Sequence, residues 1–148
     1  MKIDTYEQLE SWDFTWPSEG DGPWVLTREG INTALGSNRT AMGVYWIGYS
    51  AQGTHESFQP KYCGKGVKSL YTRLKRHVKH SSNQEIRKHT NCPDREMPTL
   101  WFRFVELPTL RLADLLEGLE IAAFSVEYWN RRNEWVQHWA LDKDYPRT

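Results

Sequence analysis

Glu117 is placed where a carboxylate costs most. The stretch Leu110 to Trp129 reads as one long helix. Its main apolar stripe is Leu112, Leu115, Leu116, Leu119, Ala122, Ala123 and Val126; a second apolar row of Ala113, Ile121 and Phe124 runs along the opposite side, with Glu117 in its middle. A carboxylate inside an apolar row needs a cation or a metal, unless it reaches solvent. Glu120 and Glu127 share a flank that can stay wet. A second helix follows Gly66, because Val67, Leu70, Tyr71, Leu74 and Val78 fall at i, i+3, i+4, i+7 and i+11. Ser69, Arg73 and His77 line one edge of that stripe, and Lys68, Lys75 and Lys79 the other. A guanidinium on the edge of a packed helix suits a developing anion. His77, His80, His89 and Cys92 have nearly the spacing of zinc ligands, but one Cys without a Cys-x-x-Cys pair makes this a weak constellation.

The charge is unevenly placed. The 148 residues carry 19 Lys+Arg against 19 Asp+Glu. Residues 1–35 hold two basic against seven acidic residues, net −5, and residues 61–95 hold ten basic against two acidic, net +8. Lys61, Lys65, Lys68, Arg73, Lys75, Arg76, Lys79, Arg87 and Lys88 all lie in the basic middle. A concentrated positive patch attracts a polyanion whatever the total; the alternative is a solvated basic face with no partner. The length suits one domain. The longest apolar run, Ile121 to Phe124, is too short for a membrane span. The N-terminus has no apolar signal core, and Cys63 and Cys92 are too few for a disulfide scaffold, so the expected setting is cytoplasmic. Eight Trp, seven Tyr and five Phe exclude a disordered chain.

Three strands and three helices are expected to position these residues. Met42 to Tyr49, Lys61 to Cys63 and Thr99 to Leu107 read as strands, with a loop over Ser50 to Pro60 and a turn at Gly64 and Gly66. Tyr6 to Trp12 reads as a short acidic helix, Trp16 to Asn38 as turn-rich, and 81–98 as a loop. The expected class is α+β, a small, mostly antiparallel three-stranded sheet flanked by helices. Residues 1–42 are expected to pack on a core of 43–133 as an extension, with 134–148 as a tail.

Five short elements then fall in a familiar order. Gly43-Val44-Tyr45, Tyr62-Cys63-Gly64, Arg73 followed four residues later by His77, Glu117 within Leu115-Leu116-Glu117, and Asn130 together resemble the GIY-YIG endonuclease family. The sixteen residues between Tyr45 and Tyr62 exceed the family's usual link, and Cys63 stands where Ile is usual, which Cys can fill as a small hydrophobe. The resemblance implies phosphodiester hydrolysis with one divalent ion, Mg²⁺ or Mn²⁺, on Glu117. It implies Arg73 as the anion-stabilising group and Tyr45, beside Tyr62, as first candidate for the group that activates water. That candidate requires a lowered phenol pKa, with Lys65 and His77 near enough in sequence to supply charge or hydrogen bonds. Gly43, Gly64 and Asn130 would support the site, Asn130 by tying backbone together. The alternative for Tyr45 and Tyr62 is two core tyrosines with satisfied hydroxyls, and for Arg73 and His77 two surface side chains.

The function expected is a stand-alone, restriction-like or phage-type DNA endonuclease acting on duplex DNA. Lys61, Lys68, Lys75, Arg76, Lys79, Arg87 and Lys88 would contact DNA, and a homodimer would serve two-strand cleavage. The alternatives are a non-catalytic nucleic-acid-binding or partner-binding domain on the same fold, or a structure-specific or RNA nuclease. The acidic head would face away from the phosphates, or cover the basic face when DNA is absent.

Overall fold

The computed structural model describes residues 2–10, 22–91, 97–124 and 127–130. The chain runs through α1 (Tyr6–Glu10), β1 (Trp24–Val25), α2 (Arg28–Leu35), β2 (Gly43–Ser50), β3 (Phe58–Gly66), α3 (Leu70–His80), α4 (Gln84–Asn91), β4 (Trp101–Glu106) and α5 (Leu110–Phe124). The four strands pair antiparallel in the order β1-β4-β2-β3. The class is α+β, as the sequence predicts, but with four strands among the described residues rather than three. The fourth, β1, is two residues long, too short to show alternation, and it comes from the first 42 residues.

The sheet separates two cores. On one face Tyr45, Ile47, Tyr62 and Phe102 pack with Ile31 and Leu35 of α2, Leu70, Tyr71 and Leu74 of α3, and Ile86 of α4. On the other, Val44, Trp46, Cys63 and Val105 pack with Leu9 of α1 and Leu112, Ala113, Leu116 and Ile121 of α5. Strand β2 is central and buried throughout except for half-buried Tyr49. Burying both faces removes the alternation that would mark it as a strand with one wet side.

Several boundaries differ from those the sequence predicts. Strand β3 is nine residues long and includes Gly64 and Gly66, so neither turns the chain; the turn comes at 67–69. Val67 is exposed and precedes α3, which starts at Leu70 with Ser69 as its cap, Oγ accepting from the Thr72 N–H at 3.1 Å. Helices α2 and α4 lie where turns and loop are expected. Gly30 and Asn32 weaken the helical signal of α2, and α4 has one apolar residue, Ile86, so neither shows a stripe. Both are fixed by caps: Thr27 accepts from Gly30 N, and Asn83 Oδ1 accepts from Glu85 N and Ile86 N.

Helix α5 is rotated from the predicted orientation. Leu119 is 43% exposed, and Ala122 and Ala123 are also outside, while Ala113, Glu120 and Ile121 are buried. Apolar residues all round the helix left the periodicity unable to choose a face. Glu120 is therefore not on a wet flank; it is buried and accepts a 2.7 Å hydrogen bond from the Tyr128 hydroxyl. Trp129 is not helical either, since its N–H bonds to the Lys61 carbonyl on β3.

Candidate active site

Three rings meet on the α3 face of the sheet. Tyr45 lies 6.2 Å from Tyr62 and 5.5 Å from His77 between ring centroids, and Tyr62 lies 5.4 Å from His77. The β2–β3 register sets Tyr45 opposite Gly64. A Cβ at Gly64 would run into the Tyr45 ring and hydroxyl, so the glycine leaves the space in which Tyr45 lies. Gly43 is needed differently: a Cβ there would strike the Val105 carbonyl of β4.

Helix α3 brings Arg73 and His77 to this cluster from the i and i+4 positions of one edge. The half-buried Arg73 guanidinium lies close enough to the hydroxyls of Tyr45 and Tyr62 for its charge to act on both. The Tyr45 hydroxyl lies 2.6 Å from His77 Nε2, and His77 Nδ1 lies 2.7 Å from Ser81 Oγ. Arg73 can only donate, so the Tyr45 proton needs another acceptor, and His77 Nε2 is the one beside it. This assigns the neutral imidazole its proton on Nδ1, donated to Ser81. His77 is neutral because burial, followed by the charges of Arg73 and Arg76, lowers its pKa from 6.5 to about 3. Tyr45 moves opposite to what a general base needs. Burial above all, with the Tyr62 charge next, raises it well above the usual phenol value, outweighing Arg73. In the free protein it is a phenol.

Glu117 resolves its place in the apolar row with a cation. Lys65, on the α5 side of β3, pairs with Asp114 and lies 4.0 Å from Glu117 Oε1. These side chains are only 25%, 16% and 13% exposed. The charge of Glu117 also bears on Tyr45 and Cys63 across the sheet edge. Cys63 is fully buried, and burial before the charges of Glu117 and Glu120 keeps it a thiol. Asn130 closes this edge: its Nδ2 donates to the Cys63 carbonyl at 2.7 Å and its Oδ1 accepts from the Cys63 N–H at 3.0 Å. The side-chain amide thus takes the place of a neighbouring strand.

The structure gathers Tyr45, Tyr62, Gly64, Arg73 and His77 on one face of β3 and Lys65 with Glu117 on the other. Of the basic residues named for nucleic acid, Lys75, Arg76 and Lys79 line the solvent side of α3 with exposed Lys68 just before it. Lys61 lies on edge strand β3, and Arg87 and Lys88 lie on α4, where Glu85 pairs with Lys88 at 3.1 Å. The zinc-like constellation is not assembled. His77 is held by Tyr45 and Ser81, while His89 belongs to a separate cluster, with Nε2 2.8 Å from the Tyr49 hydroxyl and Nδ1 donating to the Glu85 carbonyl. Cys92 lies outside the described residues. Among the described residues no three His, Cys, Asp or Glu side chains form a metal-holding group. No helix among them is long and apolar enough to cross a membrane.

Sequence reasoning missed Asp114 and Ser81. Asp114 sits three residues before Glu117, a spacing that puts two carboxylates on one helix face. Ser81 follows His77 by four, just past the end of α3. Comparison with known families, curated proteins and solved structures returns no match to this chain.

Proposed function

We propose that the chain is a divalent-metal-dependent endonuclease of GIY-YIG type that hydrolyses phosphodiester bonds in duplex DNA. One observation carries the reading: a single guanidinium, Arg73, stands beside Tyr45 and Tyr62 at the rim of a cationic helix, with a carboxylate pair across the same edge strand. Glu117 and Asp114 offer hard oxygen donors one helical turn apart, a donor set that fits Mg²⁺ or Mn²⁺ with several retained waters. Such an ion, when bound, polarises the phosphate and stabilises the leaving oxygen.

The chain's own groups supply the rest. Arg73 holds the phosphate and meets the negative charge that grows on it. Tyr45 directs its proton to His77; because Tyr45 is fully buried, its remaining lone pair orients a water only once substrate binding opens the site. To remove a proton from that water, Tyr45 must pass its own to His77. The lowered His77 value opposes this in the free protein, burial being its first cause; a phosphate beside Arg73 offsets the smaller part, the charges of Arg73 and Arg76. Ser81 and Asn83 fix the far side of the relay, Ser81 Oγ accepting from the Asn83 N–H at 3.2 Å.

A second reading rests on Lys65. An ammonium already matched to Asp114 and Glu117 is also what a purely structural ion pair looks like, and the basic face of α3 would serve a non-catalytic nucleic-acid-binding domain. A cleavage panel separates the two: supercoiled plasmid, linear duplex, branched DNA and RNA, each with Mg²⁺ and with EDTA. Cleavage of duplex in Mg²⁺ alone supports the nuclease; preference for branched DNA or RNA moves the substrate class; binding without cleavage of any substrate leaves the binder.

A further inference from the structure

Helix α3 carries no acidic residue, and Arg73 and Lys75 stand at opposite edges of its buried face. Between them, on the solvent side, lie Arg76 and Lys79. At the far edge Tyr71 gathers two cations. The Arg39 guanidinium carbon is 4.8 Å from the Tyr71 ring centroid and Lys75 Nζ is 4.9 Å from it. Lys75 Nζ also donates to the Tyr71 hydroxyl at 3.3 Å, and that hydroxyl donates to Asn32 Oδ1 at 2.7 Å. Tyr71 is itself 8% exposed, so it is a fixed post rather than a mobile side chain.

Two like charges gathered on one ring repel, and the ring quadrupole offsets only part of that. Among the described residues neither has a carboxylate partner; Arg39 Nε donates only to the Gly36 carbonyl. An anion contacting both would offset the repulsion. We propose that Arg39, Tyr71 and Lys75 form a second phosphodiester-binding point, to which the backbone of duplex DNA runs from Arg73 across the outer face of α3. This rests on the nuclease reading and extends it by giving the substrate's path. It also gives Arg39, four residues past the acidic first 35, a place in the basic surface.

The test is fluorescence anisotropy of a labelled DNA duplex in EDTA, so that nothing is cut, across a series of salt concentrations. The variants are Arg39→Gln with Lys75→Gln, Tyr71→Leu, and Lys2→Gln as a control for lost charge, since Lys2 is already matched by Asp4. Each phosphate contact contributes about 0.9 to the slope of log K against log salt, or roughly eightfold in affinity near 0.1 M. The double variant is expected to lose one to two such contacts and the control none. Tyr71→Leu should lose affinity with no change in charge. If that variant does not fold, the double variant, which keeps the ring in the core, decides alone. A wild type that binds while the double variant keeps its slope overturns the second point and leaves the nuclease reading standing. A wild type that binds no duplex overturns both.

Discussion

His77 ties stability to the same proton that the site uses. Its folded pKa of about 3 lies below the ordinary 6.5, so between those values the unfolded chain takes up a proton that the folded one refuses. The sign follows: this contribution is fully present above pH 6.5 and is lost as pH falls toward 3. Between pH 6.5 and 5, before most carboxylates titrate, it amounts to about 2 kcal/mol. Urea unfolding at the two pH values should show that loss in the wild type and a flatter dependence in His77→Gln; equal slopes would mean that His77 is not buried neutral. Tyr45 belongs to the same pair. Tyr45→Phe keeps the ring in the space beside Gly64 but removes the hydroxyl next to Arg73 and His77, and cleavage should fall by about a hundredfold or more. Unchanged cleavage rates would remove Tyr45 from the chemistry.

Strand β3 shows how an element at the edge of a sheet is made part of a site. Its outward N–H and C=O at Cys63 are both taken by Asn130, and its Lys61 carbonyl by the Trp129 N–H. Asn130→Ala removes both bonds to Cys63 and should destabilise the fold by about 1–3 kcal/mol. Asn130→Asp keeps the acceptor but sets a carboxylate oxygen against the Cys63 carbonyl, so it should not restore the loss; a wild-type melting curve for both would show that the edge needs no seal. Elements of this kind also set the limit of what could be read in advance. Strand β2 and helix α3 were legible from runs and spacing, and Glu117 from its cost in an apolar row. The turn of α5 about its axis was not, because its apolar residues surround it, and Glu120 went from the wet side to the core. Helix α4 was hidden because its stability comes from the Asn83 cap rather than from a stripe. Asp114 escaped because its significance depends on Lys65, forty-nine residues away in sequence.

Among the described residues the charge is unequal between layers, although Glu29 of α2 and Glu85 of α4 share the α3 side. The cationic helix α3 lies on one side of the sheet, and α1, with Glu7 and Glu10, packs with α5 on the other. Asp13, Glu19 and Asp21 of the acidic head lie outside the described residues. Two packed layers of about 10 Å each exceed the Debye length at physiological salt, so Glu7→Gln with Glu10→Gln should change duplex affinity by less than about twofold. A larger gain would mean that the head covers the basic face. Removing the first 35 residues is a poorer probe, because Ile3, Leu9, Ile31 and Leu35 belong to the two cores. The central claim is that groups on both faces of β3 act on one phosphate, and single-turnover cleavage of plasmid in Mg²⁺ tests it most directly. Arg73→Ala and Glu117→Ala should each nick at least about a hundredfold more slowly than wild type. Arg73→Ala should also lose roughly eightfold in duplex affinity in EDTA, the share of one phosphate contact, while Glu117→Ala keeps its affinity. A Glu117→Ala protein that cuts at the wild-type rate would contradict the account.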